Sequence, residues 1–135
     1  MNNWLFPCNV GLYDPIGAFA ELHDIDWRQS VKLEEGDEVF IYCSKPYQKI
    51  MFRTVVKKIE IPSSEADKSD LKFSKDNEQI GNEPRFGYAR LSLVNCRDCK
   101  DLSLNEIIKH GIEKAPQGPM KISDELYEYI TQFLC

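Results

Sequence analysis

At 135 residues, 42% hydrophobic and 29% charged, the chain is long enough for one ordinary core without covalent staples. A formal net charge of −5 argues against nucleic acid only on average, because an electrostatic footprint is local, and five basic residues with no acid run from Lys45 to Lys58. No apolar run nears the roughly 20 residues of a membrane-spanning helix, Met1-Asn2-Asn3-Trp4 lacks a signal-type flank, and an odd cysteine count argues against a disulfide framework. A cytoplasmic protein with no membrane partner is expected.

Trp4-Leu5-Phe6 predicts a short apolar strand, ended by Pro7-Cys8-Asn9. Asp14-Pro15 marks a helix start, with Asp14 as N-cap and Pro15 at the first helical position. That helix, Pro15 to Leu22, is expected to bury Ile16, Phe19 and Leu22. Ile25 to Ser30 follows. Glu35-Gly36-Asp37 predicts a turn that launches the β-branched and aromatic strand Glu38 to Cys43.

From Lys49 to Ile61 the pattern alternates. Ile50, Phe52 and Val56 are expected to face the core, and Lys49, Arg53 and Lys57 to form a basic stripe in solvent. About residues 62–85 form a polar variable loop, expected to be partly disordered, with Leu71-Lys72-Phe73 and Ile80 as its anchors. Phe86 to Val94 returns to strand. Ser103-Leu104-Asn105-Glu106 reads as a capping box, with Gly111 at the helix C-terminus. Ser123 caps a last helix to about Phe133, and Ile122 and Tyr127 have staple spacing. The order β-α-β-β-β-β-α-α lacks βαβ alternation, so one α+β domain is expected over residues 1–135: a small mixed sheet or barrel with helices at its ends.

Chemistry concentrates in Ile25-Asp26-Trp27-Arg28-Gln29-Ser30. A large ring beside an amide and a hydroxyl suits a planar polar ligand such as a nucleobase. A lone tryptophan is more often core, so the residues around it must decide. Lys45, Lys49, Arg53 and Lys57 are candidate phosphate contacts, although a charged strand is more often a solvated face. Cys96-Arg97-Asp98-Cys99 has redox or zinc spacing but no paired second half and no βαβ context. There is no GxSxG, no glycine-rich phosphate loop and no HExxH, and neither His23 nor His110 has a neighbouring nucleophile. No catalytic residue, metal site or cofactor is expected.

Several pieces together resemble a known family. Trp4-Leu5-Phe6-Pro7-Cys8-Asn9 with Tyr13-Asp14, then Ile25 to Ser30, Gly36 to Tyr42, Tyr88-Ala89-Arg90-Leu91, and His110-Gly111 with Pro116-Gln117-Gly118-Pro119 are similar to an EVE domain of the PUA-like superfamily, a relative of YTH. Within that family the chain resembles modules fused to HNH nucleases in modification-dependent restriction proteins. The resemblance implies a PUA-like mixed β-barrel flanked by short helices, with a pocket for a flipped modified base such as 5-methylcytosine. It implies Trp27 as pocket wall, Gln29 and Ser30 as polar readers, Tyr42 and Ser44 at the pocket border, Cys8 and Asn9 in the loop after the first strand, and Gln117-Gly118-Pro119 as a covering loop.

The expected function is therefore non-catalytic recognition of nucleic acid carrying a modified base, DNA favoured over RNA. The sequence as read to Cys135 holds no nuclease half, so either a domain that stands alone or a fragment is expected, with any cleavage belonging to a fused or partner domain. Three rivals remain: a modified-RNA reader, a thiol-redox or small-molecule enzyme using Cys96 and Cys99, and a protein-interaction module.

Overall fold

The computed structural model describes residues 1–75 and 84–135. Six strands form one sheet: β1 (Asn3–Cys8), β2 (Asp24–Arg28), β3 (Glu38–Cys43), β4 (Lys49–Ile61), β5 (Tyr88–Cys96) and β6 (Met120–Lys121). Their spatial order is β2-β5-β4-β3-β1-β6. β1 and β3 run parallel, with Trp4 opposite Val39 and Phe6 opposite Ile41, and the other pairings are antiparallel.

β3 lies at the centre and is covered on both faces, which is why it reads as an unbroken apolar run. On one side Val39, Ile41 and Cys43 join Trp4, Phe6, Ile25, Phe52, Val56 and Leu91. Helix α1 (Pro15–Glu21) closes this core with Ala18 and Phe19, and the Phe19 and Phe52 rings lie 4.9 Å apart. On the other side Phe40 and Tyr42 join Leu5 and Ile50. Helices α2 (Leu104–Ile107) and α3 (Asp124–Thr131) cover them with Ile107, Leu126 and Ile130.

The sheet curls around the first core. Ile25 on β2 and Trp4 and Phe6 on β1 share that core although β5, β4 and β3 separate their strands. The fold is thus α+β with an incompletely closed mixed barrel, and its seam lies between β1 and β2. β6 reaches only Trp4 and Leu5, so the later part of β1 has no strand partner on its β6 side. Pro7 stands there, where a missing N–H is tolerated.

The local signals explain most ends. Asp14 accepts from Gly17 N at 3.1 Å and Pro15 opens α1. Ser123 Oγ accepts from Leu126 N at 3.2 Å and starts α3. Gly111 closes the 3-10 turn Ile108–His110 in the left-handed region, at φ +115°. The Glu35–Asp37 turn is held by the buried Asp37 carboxylate, which accepts from Asn2 N, Glu34 N and Trp4 Nε1.

The structure departs from expectation at five places. Ile16 is exposed; Pro15, Ala18 and Phe19 form the buried face of α1 instead. Ser103 makes no side-chain cap bond, and α2 is only four residues long before it tightens into the 3-10 turn. β6 went unpredicted because two residues carry no period. The basic stripe on β4 is broken: α3 covers part of the face assigned to solvent, and β4 shifts register against both neighbours. Residues 62–75 are also not a loose loop. The 3-10 turn Leu71–Phe73 and a bridge from Tyr13 to Ser74 dock them on the domain. Ile80 lies outside the described residues.

Candidate functional site

An open cleft of about 460 Å³ occupies the seam between β1 and β2. Trp27, half-buried at the end of β2, forms one wall, and Tyr13 meets it edge-on with ring centroids 5.5 Å apart. Tyr88, opposite Arg28 in the β2–β5 pairing, adds a third ring. Pro7, Leu12 and Leu71 supply apolar lining. Aromatic faces with a few convergent polar groups are what a planar ligand needs.

The polar groups are chiefly carboxylates from the segment expected to be a variable loop. Asp26 is buried, and its carboxylate accepts from Arg90 Nε at 2.8 Å, Arg90 Nη2 at 3.1 Å and Asp67 N at 2.7 Å. That fork fixes the position of residues 62–75, since the Asp67 amide can reach Asp26 only if the segment lies against β2. Asp70 accepts from the Tyr13 hydroxyl at 2.7 Å. Burial pushes the Asp70 carboxyl up from its usual value and, with the Asp70 bond, pushes the Tyr13 phenol strongly up, so Tyr13 stays a donor. Asp67 is exposed and lowered, chiefly by its bonds from Ser69. Lys68 Nζ lies 4.8 Å from the Tyr88 ring centre, a cation over an aromatic face at the rim.

A second, smaller concavity of about 310 Å³ lies on the other side of the Pro7-Cys8-Asn9 segment, which lines both. Tyr42, Ser44, Lys45 and Gln48 from the β3–β4 connection form it, with Ala115 to Gln117 across the mouth. Ser44 ties this connection to the end of β1: its N–H donates to Cys8 O at 3.0 Å, and its Oγ accepts from Val10 N at 3.0 Å.

The candidate residues therefore divide. Trp27, Cys8 and Asn9 meet at the first cleft. Tyr42, Ser44, Lys45 and Gln117 line the second concavity and not the Trp27 cleft. Gly118 and Pro119 line neither; they lead into β6, so only the front of the proposed covering loop borders a cavity. Ser30 is exposed beyond the end of β2 and outside both linings.

Gln29 is corrected outright. It is fully buried, its Oε1 accepts from Glu60 N at 2.9 Å and its Nε2 donates to Val31 O at 3.0 Å. Both ends of the amide are thus used, the oxygen on Glu60, whose φ of +51° marks the irregular end of β4, and the nitrogen on Val31. It cannot read a ligand without unfolding that corner. Arg53 is corrected too: it pairs with Glu38 at 2.6 Å, donates to Leu134 O at 2.8 Å, and lies among Phe40 and Tyr127 in the second core. Lys49 is spent on Asp98 at 2.6 Å. Lys57 and Lys45 remain exposed.

The cysteines give no joint site. Cys96 is exposed, whereas Cys99 is buried with its thiol 3.5 Å from Asp101 Oδ2. Cys8 and Cys43 stand opposite each other in the β1–β3 pairing. Both are buried, and burial pushes the Cys8 thiol up to about 12 and Cys43 further, so neither is a thiolate at neutral pH. Among the described residues no group of three or more His, Cys, Asp or Glu is arranged to hold a metal, and no helix is long and apolar enough to cross a membrane.

Sequence reasoning missed Tyr13, Asp70 and Tyr88 as cleft residues. The one available signal was Leu71-Lys72-Phe73, an apolar island in a polar stretch, which has to dock somewhere.

No family model and no curated protein matches the sequence. Solved structures do match. A mutant form of ASCH from Zymomonas mobilis aligns over 100% of both chains, with a TM-score of 0.67 and 8% identity. ASCH from the same organism without that change gives 0.64 and 10%, over 99% of this chain and 96% of its own. A hypothetical protein from Leishmania major gives 0.65 and 15%, over 98% and 93%. The chain shares its fold with these ASCH structures. At such identities the likeness is one of fold.

Proposed function

We propose that the chain is a non-catalytic nucleic-acid-binding module of the EVE kind, which accepts a modified base in the Trp27 cleft. The observation that carries this reading is an accessible, three-ring cleft at the seam of the barrel, edged by groups that accept hydrogen bonds. A flipped base would stack on Trp27, a contact worth about 1–3 kcal/mol for aromatic–base pairs in general. Asp70 and Asp67 take the reading role first expected of Gln29. A carboxylate at a base edge selects an exocyclic amino group, as on cytosine, and this agrees with 5-methylcytosine in DNA as the favoured ligand. A methyl group would sit among Pro7, Leu12 and Leu71. Exposed Lys45, Lys57 and Lys68 are the cations left to meet phosphates. Any strand cleavage would come from a nuclease domain or partner.

The test is anisotropy titration of a short duplex carrying one 5-methylcytosine against the plain duplex. Tighter binding of the modified duplex is expected, with quenching of Trp27 fluorescence that disappears in Trp27→Phe. Equal binding of the two duplexes would sink the reading. Competition with the same modification in single-stranded RNA decides between DNA and RNA.

A further inference from the structure

The second concavity differs from the cleft in charge and in hydrogen-bonding sense. Its lining holds Lys45 and no carboxylate, whereas three aspartates line the cleft. Tyr42 is only 3% exposed. No hydrogen bond joins its hydroxyl to a described group, and the residue lines the pocket. A nearly buried tyrosine normally finds a partner for that group. Burial holds the phenol in its protonated, donating form.

Three neighbouring side chains can donate as well. Asn9 Oδ1 accepts from Gly11 N at 3.0 Å, which leaves its amide N–H₂ free to donate. Gln48 is held at φ +50°, its carbonyl accepting from Leu104 N at 2.9 Å, so its backbone is anchored while its side chain stays exposed at the pocket. Lys45 has no ion-pair partner among the described residues. Several donors, one cation and no acceptor charge in a concavity make a receptor for an oxyanion.

We propose that this pocket, built from Asn9, Tyr42, Lys45 and Gln48, is a phosphate subsite contiguous with the Trp27 cleft. It rests on the base-binding reading for its biological ligand, because the two concavities are separated only by the Pro7–Asn9 segment. A base stacked on Trp27 would place a phosphate of the same or the adjoining nucleotide over that segment. The shared chemistry is a phosphate ester, from a strand or from a free nucleotide.

The experiment is an amide-resolved NMR titration with inorganic phosphate, followed by anisotropy with the 5-methylcytosine oligonucleotide. Phosphate is expected to move the amides of Asn9, Ser44, Lys45, Tyr47 and Gln48 and to leave residues 67–70 unmoved. Tyr42→Phe removes a hydroxyl that no described group uses, so its melting temperature should match wild type while phosphate and oligonucleotide binding fall roughly tenfold, the scale of one hydrogen bond to a charged group. Lys45→Ala should lower the logarithmic salt slope of oligonucleotide binding by about one. A 5′-mononucleotide that binds as tightly as a tetranucleotide identifies a free nucleotide as the source, and a clear gain with length identifies a strand. Still amides at Ser44, Lys45, Tyr47 and Gln48 together with wild-type binding by Tyr42→Phe overturn the subsite and leave base recognition standing. Phosphate that binds here while no oligonucleotide binds keeps the subsite and removes the base reading.

Discussion

Two concavities share one wall and have opposite character. The cleft between β1 and β2 is aromatic with three aspartates in its lining, and a docked loop builds one side of it. The pocket at the β3–β4 connection is small, rich in donors and free of carboxylates, and it is framed by strand ends. The difference lies in how each is held. The cleft depends on long-range bonds, Arg90 to Asp26 to the Asp67 amide and Tyr13 to Asp70. The pocket depends on the bonds of Ser44 to Cys8 and Val10, also distant in sequence, which tie the β3–β4 connection to the end of β1. One can be dismantled while the other survives.

The largest effect is expected from Arg90→Ala. Among the described residues it leaves the buried Asp26 carboxylate with the Asp67 amide as its one remaining partner, and uncompensated buried charge is costly. A loss of about 3 kcal/mol in denaturant unfolding is expected, with amide shifts spreading through residues 62–75 and sparing residues 44–48. Equal disturbance of both regions would show that they are not independent.

Trp27→Ala comes next. Oligonucleotide binding should weaken by about 1–3 kcal/mol, while inorganic phosphate still perturbs Tyr42 and Gln48. A smaller effect is expected at Asp70. Its folded carboxyl titrates above its unfolded value because it is buried, so ionising it opposes folding. Its contribution to stability should fall as pH rises from about 4 through the raised value, then level off. In Asp70→Asn, whose amide oxygen can still accept from Tyr13, that slope should be missing. Parallel thermal melts of the two proteins between pH 3.5 and 7 check this, and identical pH profiles would contradict it. The smallest effect is the melting temperature of Tyr42→Phe, expected within the roughly ±0.5 kcal/mol of a neutral substitution.

Much of the frame was legible in the chain. Asp14-Pro15, Gly36, Gly111 and Ser123 mark ends whose chemistry is local, a side-chain oxygen over an exposed N–H or a left-handed φ. The β-branched and aromatic run of β3 announced a strand, and Trp27 a ring available for stacking; that β3 is covered on both faces was seen only in the structure. The errors share one cause. Gln29, Arg53 and Lys49 are polar groups in places where composition suggests solvent, and their real partners, Glu60, Glu38 and Asp98, are distant in sequence or set by bulges. Likewise Asp70 and Tyr13, 57 residues apart, meet only because the sheet curls and leaves a seam to fill. Sequence by itself determined most of the elements, the caps at Asp14 and Ser123 and the ring available for stacking, because those follow from short-range sterics and burial period. Tertiary structure alone decided which polar groups are spent on folding and which still face a ligand, because hydrogen-bond capacity is allotted among neighbours that chain order does not reveal.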